Sequence, residues 1–338
     1  MVISAMIISI VAAITAFVIY RQVFSPNIRS EMMERYLLIP TGSSFDQVVI
    51  RLEDEGYLKD KDSFIWVARR MKYDRRVKPG RYRIRKGMSN RQLVSLLRSG
   101  QQTPVRLTFN NIRTSSELAR LVGQKLEADS TELAGLFTNN EFLAPYGLSV
   151  ETALCILIPN TYEFNWNTSA RQFFKRMAGE HQKFWTKSRR EKAREAGLSP
   201  HEVTIMASIV EKETQRIDER PLIAGVYMNR LKDDWKLEAD PTLVYASGDF
   251  SIRRVLNEHK KIESPYNTYL HKGLPPGPIC IPSISSIDAV LDYEKHGYYY
   301  FCAREDFSGY HSFAKTYEDH LLNARRFQKE LNRRGIRS

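Results

Sequence analysis

The spacing of apolar positions changes several times along the chain, and each change marks an element. Val2 to Tyr20 is a run of 19 uncharged residues, long enough to span a bilayer core. The polar stretch Ser25 to Glu34 reads as a juxtamembrane linker. Tyr36 to Ile39 then has strand character, Pro40-Thr-Gly42 that of a turn, and Phe45 to Glu55 shows helical spacing at Val48, Val49 and Leu52 before Gly56 stops it. Asp62 to Met71 reads as a second helix. Gly80 to Arg85 alternates strictly, which predicts a half-buried strand with its basic side chains on the open face. Met88 to Leu97 has helical spacing and is closed by Ser99-Gly100.

The pattern continues past Pro104 with a strand at Val105 to Phe109 and a helix over Thr114 to Lys125, with Ser115 or Ser116 near its cap. Leu154 to Ile158 is a short buried strand or the approach to a turn, closed by Pro159. Ser169 to Ala196 is a basic helix or helix pair, and Pro221 to Leu231 is a further helix. Tyr298 to Cys302 is a strand, and a polar helix from Thr316 to Arg334 closes the chain. Strands and helices mix without regular alternation, which predicts an α+β fold. Three parts follow: a transmembrane anchor over 1–22, a small α/β subdomain over 35–103, and a larger mixed α+β domain over 104–338.

One helix carries a chemical signal. Ser199 can cap it, Pro200 suits the first helical position, and Glu202 completes a capping box. Wound at about 100° per residue, Glu213 falls about 20° from Met206 and about 40° from Ile209, inside the apolar stripe of an amphipathic helix. Glu211 points about 160° away, toward the polar side. A carboxyl on an apolar face is expensive to ionise, so its pKa rises, and an acid that stays protonated near neutral pH serves as a general acid. The plainer alternative ends the helix before Glu213 and pairs the acid with Lys212 or Arg216.

Composition adjusts this picture in three places. The formal charge is +12, and Ala68 to Arg106 holds 13 Lys or Arg against one acid, Asp74. Such a stretch beside an anchor suits anionic lipid or an anionic polymer, or is simply a solvated strand face. No nucleic-acid recognition motif accompanies it, so no nucleic-acid partner is expected. The three cysteines, Cys155, Cys280 and Cys302, match no zinc or redox spacing and allow at most one bridge. After the apolar run comes Arg-Gln-Val-Phe-Ser-Pro-Asn, a poor cleavage site, so an uncleaved single-pass anchor is favoured over a signal peptide. Arg21 and Arg29 follow the run and weakly favour the opposite orientation, but long domains translocate largely regardless of such charges.

Loop motifs surround the acid in sequence: Glu238-Ala-Asp-Pro-Thr242, with Asp240 held extended by Pro241, then Ser264 to Tyr269, Gly273-Leu-Pro-Pro-Gly-Pro-Ile279 and Gly309 to Phe313. Together with Met206 to Thr214, Glu219-Arg220, Val226 to Leu231 and His311-Ser-Phe313, these motifs resemble, in order and spacing, the YceG-like family of membrane-bound endolytic murein transglycosylases. Lys78 to Tyr82 and Met88 to Leu97 are similar to that family's LysM-like subdomain, associated with glycan binding. The resemblance implies Glu213 as catalytic acid, the same residue the helical wheel selects. It implies substrate contacts from Glu219, Asn229, Asp240, Thr242, Tyr266, Asn267, Thr268 and His311. Of these, Asp240, Tyr266, Asn267 and Thr268 would line the cleft and hold the sugar or its N-acetyl group. Two positions depart from the family's pattern: Asn160, where an Asp is usual, and Glu238-Ala239, where a Gln is usual before the Asp-Pro-Thr block.

The activity so implied is scission of the MurNAc–GlcNAc bond of nascent glycan strands with 1,6-anhydro ends, contributing to termination of glycan elongation. It needs no metal and no cofactor. The implied partners are peptidoglycan strands, the inner (plasma) membrane and peptidoglycan synthases, with the catalytic domain on the extracytoplasmic side. Three other readings are compatible with the residues alone. One is a hydrolytic muramidase using Asp240 or Glu219 as a second carboxylate. Another is a tethered, non-catalytic scaffold that binds glycan or a synthase through the basic stretch. The third is a nucleic-acid binder suggested by charge, whose affinity would fall steeply with salt.

Overall fold

The computed structural model describes residues 2–29 and 35–335. Val2–Phe24 forms one continuous helix, α1, whose residues are all exposed or half-buried and which is apolar and long enough to cross a membrane. The residues after it do not hang free as a linker. Asn27 and Ile28 are buried, Asn27 exchanges hydrogen bonds with the backbone of Asp60 and donates to the Asn90 side chain, and Ile28 bridges to Leu58. The rest of the expected linker, 30–34, lies outside the described residues.

Contacts divide the chain into two compact units. The first comprises Met1–Leu107, Val122–Asp129 and Tyr162–Ser169. Its strands β1 (Arg35–Ile39) and β2 (Gly80–Ile84) pair antiparallel, with Leu37 opposite Tyr82. The alternation read in β2 is realised: Tyr82 and Ile84 are buried while Arg83 is exposed. Helices α2 (Phe45–Asp54), α3 (Lys61–Arg70) and α4 (Asn90–Ser99) close the core with Val48, Leu52, Phe64, Leu93 and Leu97. Ser44–Gln47 and Ser89–Gln92 form capping boxes that satisfy the first amides of α2 and α4.

Strands β3 (Val105–Phe109) and β4 (Asn160–Phe164) pair in a short two-stranded sheet. The second unit comprises Thr108–Leu121, Ser130–Thr161 and Ala170–Ser338. Helices α5 (Ser115–Gly123), α6 (Ser130–Phe137) and the single turn α7 (Asn140–Leu143) lie in the segments between β3 and β4. Leu154–Ile158, read as a strand or turn, is a buried 3-10 turn at Ala153–Ile156 leading into extended chain. The basic region resolves into α8 (Ala170–Phe184) and α9 (Lys187–Glu195).

The centre of the second unit is α10 (Pro200–Glu213), started by the capping box of Ser199 and Glu202. It packs against α11 (Arg220–Lys232), α12 (Asp240–Ser247) and α13 (Ile284–Leu291). A hairpin of β5 (Tyr300–Ala303) and β6 (His311–Ala314) and the closing helix α14 (Tyr317–Arg333) complete it. Two readings change here. The helix α10 is not amphipathic: Val203 to Val210 are buried without a break, as in a helix enclosed by its own fold. His311 to Phe313 is strand rather than loop, because Phe301 pairs opposite Phe313 and packs its ring against His311 and Phe313. The three thiols are free.

Candidate active site

The buried hydroxyls of α10 show how a polar residue is accommodated inside it. Thr204 donates back to the Pro200 carbonyl at 2.9 Å, and Ser208 donates to that of Ile205 at 2.6 Å. Ser208 Oγ also accepts the amide of Ile279 at 3.0 Å, which fastens the Gly273–Ile279 turn to the helix. Gly277 is required there by space. A Cβ on it would meet the Glu151 carbonyl oxygen at 2.0 Å. Gly225 plays the same part on α11, where a Cβ would lie 2.3 Å from the Glu294 carbonyl oxygen.

The helix continues through Glu213, the last residue before Thr214 turns the backbone extended. Glu213 pairs with neither of its cationic neighbours. Lys212 donates to Asn111, and Arg216 donates to the Ser308 carbonyl while standing over the Tyr310 ring. Glu213 Oε1 instead accepts the hydroxyl of Tyr227, one side of whose ring is fixed edge-on by Phe301. Burial pushes the Glu213 carboxyl up from 4.5 to about 7. The Tyr227 hydrogen bond opposes that rise, the charge of Asp240 adds to it, and Arg230 opposes it. Burial likewise drives the Tyr227 phenol well above its ordinary range, so Tyr227 stays a donor.

Glu213 opens on a cleft of about 670 Å³ that is also lined by Asp240, Tyr245, Phe250, Arg113 and Arg254. Asp240 is the first residue of α12 rather than a member of an extended loop. Pro241 fits the second helical position, where its missing amide costs nothing. The Asp240 carboxylate is exposed and accepts the Tyr269 hydroxyl at 2.7 Å. Tyr245 packs at a tilt against Tyr266, with centroids 4.6 Å apart, and Tyr266 itself does not line the cleft.

The other residues singled out in the sequence sit around this cleft without lining it. Glu219 is buried and holds the turn after Glu213 in place. Its carboxylate accepts Thr214 Oγ1 at 3.2 Å, and the amide and Nδ1 of His311 at 2.7 Å each. Asn229 donates to the carbonyls of His296 and Tyr298, both at 2.9 Å. Thr242 and Thr268 are buried and bonded to each other at 2.8 Å, and Thr268 accepts the Ala239 amide at 3.0 Å. Asn267 is fully buried and donates to the carbonyls of Lys260 and Ile262. Glu238 has a left-handed backbone, φ 50°, and its carboxylate lies 3.5 Å from Arg230.

Glu211, assigned by the wheel to a polar face, is largely buried. It accepts Ser283 and Ser286 hydroxyls and lies 3.2 Å from the guanidinium of Arg220, itself buried. The wheel fails here because α13 covers that side of α10. The sequence reading also passed over Tyr227, Tyr269 and the arginines of the cleft. Tyr227 lies 14 residues beyond Glu213, and its hydroxyl comes to the acid only because α11 doubles back along α10. No local pattern marks that contact.

Comparisons with known proteins bear on this arrangement. A sequence model of the YceG-like family matches residues 37–326. The chain is similar to the endolytic murein transglycosylase of Bacillus subtilis (strain 168), 27% identical over 321 residues, covering 90% of this chain and 88% of that protein. It is also similar to the endolytic murein transglycosylase of Streptococcus pneumoniae serotype 2, 29% identical over 326 residues, covering 87% of this chain and 58% of that relative's length. Among solved structures it resembles a yceG-like protein from Listeria monocytogenes, with 29% identity, a TM-score of 0.58, and coverage of 86% of this chain and 98% of that one.

Proposed function

The chain belongs to the YceG-like family, and from that premise we infer that it is a peptidoglycan lytic transglycosylase with Glu213 as its catalytic acid. The observation that carries the assignment is the carboxyl of Glu213. It ends a buried helix, has a pKa raised to about 7, accepts one hydrogen bond from Tyr227, and opens on a polar cleft.

The chemistry follows from one proton. Protonated Glu213 gives it to the glycosidic oxygen as the bond from C1 of the muramoyl residue breaks. The carboxylate so formed takes the proton of the C6 hydroxyl on the same sugar. That oxygen closes on C1, giving a 1,6-anhydro end and returning Glu213 to its starting state. Water does not enter, so one carboxyl suffices where a hydrolase uses two. Tyr227 fixes Oε1 and leaves Oε2 to face the sugar. Cutting inside nascent strands in this way limits their length. A glycan strand passing the outer face of the membrane, near the synthases that extend it, is the substrate, with α1 as the tether.

Asp240 supports a second reading. It shares the cleft with Glu213, which supports a two-carboxylate hydrolysis as the alternative. Product analysis separates the two. Full-length protein in detergent, given uncross-linked glycan strands, is expected to release anhydromuramoyl ends detectable by mass. Reducing muramoyl ends in their place would establish hydrolysis. Glu213→Gln keeps the shape and is expected to lower the rate at least about a hundredfold. Parent-like release of anhydro ends by that variant would remove Glu213 from the mechanism.

A further inference from the structure

The charge of the cleft does not match a neutral polysaccharide. Its wall carries Arg113, Lys212, Arg253 and Arg254 against two acids, Glu213 and Asp240. Among the described residues none of the four cations makes an ion pair. Glu213 and Asp240 are each occupied by a tyrosine hydroxyl, Tyr227 and Tyr269. The guanidinium of Arg113 lies 4.4 Å from the centre of the Phe250 ring, which orients its edge without neutralising it. Arg253 and Arg254 are exposed at the cleft.

The sugar units of a murein strand are uncharged. Along the repeating units, negative charge enters as carboxylate, either on the peptide stems or, where the stem has been removed, on the lactyl group. A guanidinium fork matches a carboxylate in plane and in two hydrogen bonds, which an ammonium does not. We propose that Arg113, Arg253 and Arg254 form a carboxylate subsite that makes the enzyme select strands whose muramoyl residues still bear peptide stems with free carboxylates. This rests on the reading of the cleft as a peptidoglycan site and adds to it what the strand must carry.

The test compares three strand preparations cut by the full-length protein in detergent: stems intact, stems with their carboxylates capped as amides, and stems removed to bare the lactyl carboxylate. The parent is expected to prefer intact over capped strands in kcat/KM, and the preference should shrink with added salt. The double variant R253Q/R254Q, in exposed positions and checked by its melting temperature, is expected to shrink that preference roughly fivefold, mostly through KM. Stripped strands cut better than intact ones would move the recognised carboxylate to the lactyl group and overturn the stem assignment. Equal cutting of intact and capped strands by the parent, or a preference unchanged in the variant, would overturn the subsite while leaving the transglycosylase reading in place. A parent that yields no anhydro ends from any preparation would overturn that underlying reading as well.

Discussion

Glu213 holds its proton because ionising it inside the fold is costly, and that cost has two readouts. The acid must be protonated to act, so kcat/KM is expected to fall as pH rises through about 7. A pH–rate profile checks this, and a falling limb near the ordinary carboxyl value of 4.5 would contradict the burial. Tyr227→Phe removes a hydrogen bond that favours the carboxylate, so the limb is expected to move to higher pH while kcat drops from lost placement. Stability provides the second readout. The folded carboxyl titrates above the unfolded one, so the folded state binds more protons between pH 4.5 and about 7, and stability declines across that window as pH rises. Glu213→Gln removes the penalty and is expected to unfold later than the parent above pH 7, by up to about 3 kcal/mol, with the two converging near pH 4.5. Chemical denaturation at the two pH values measures it.

At the scale of elements, the end of α10 is held from two sides. Arg220 at the start of α11 reaches the Ser283 and Ser285 hydroxyls at 2.7 Å each and Glu211 at 3.2 Å, tying α10, α11 and the cap of α13 into one knot. Both charges are mostly out of water, so removing one strands the other. Arg220→Met is expected to cost about 3 kcal/mol in denaturant unfolding, more than a surface ion pair would. Sequence alone indicated much of this level. The capping box Ser199–Glu202, the apolar run ahead of Glu213 and the alternation of Gly80–Ile84 are local signals, and the chain obeys them. Glu211 and the His311 segment were misplaced because their states depend on partners distant in sequence, and Asp240 because a local rule was applied at a helix start. Asp240 lies in a helix turn that an X-Pro rule reads as extended, Glu211 lies under α13, and His311 is drawn into a strand by Phe301 and Glu219.

For the whole molecule, α1 is the part with a direct test. Its 23 residues have no buried member, and its mean hydropathy reaches 2.7. A charge at its centre costs about 2.5–3.5 kcal/mol on insertion scales. Ile10→Arg with Val11→Arg is therefore expected to shift much of the protein from the carbonate-resistant membrane fraction to the soluble one, measured by fractionation. The position of the cleft was not legible at this scale, because the chain from Gly248 to Ser283 that builds much of its wall has little regular structure and no repeating pattern. That contrast has a consequence for how such a protein diversifies. The proton donor ends a rod whose residues Val203 to Val210 are all enclosed by the fold, so its placement is constrained by packing and by the Tyr227 hydroxyl. The exposed part of the wall, with Arg253 and Arg254, answers to no such constraint and can vary at little cost to the fold. Descendants of one ancestor can thus keep identical bond-breaking chemistry while differing widely in which strands they admit.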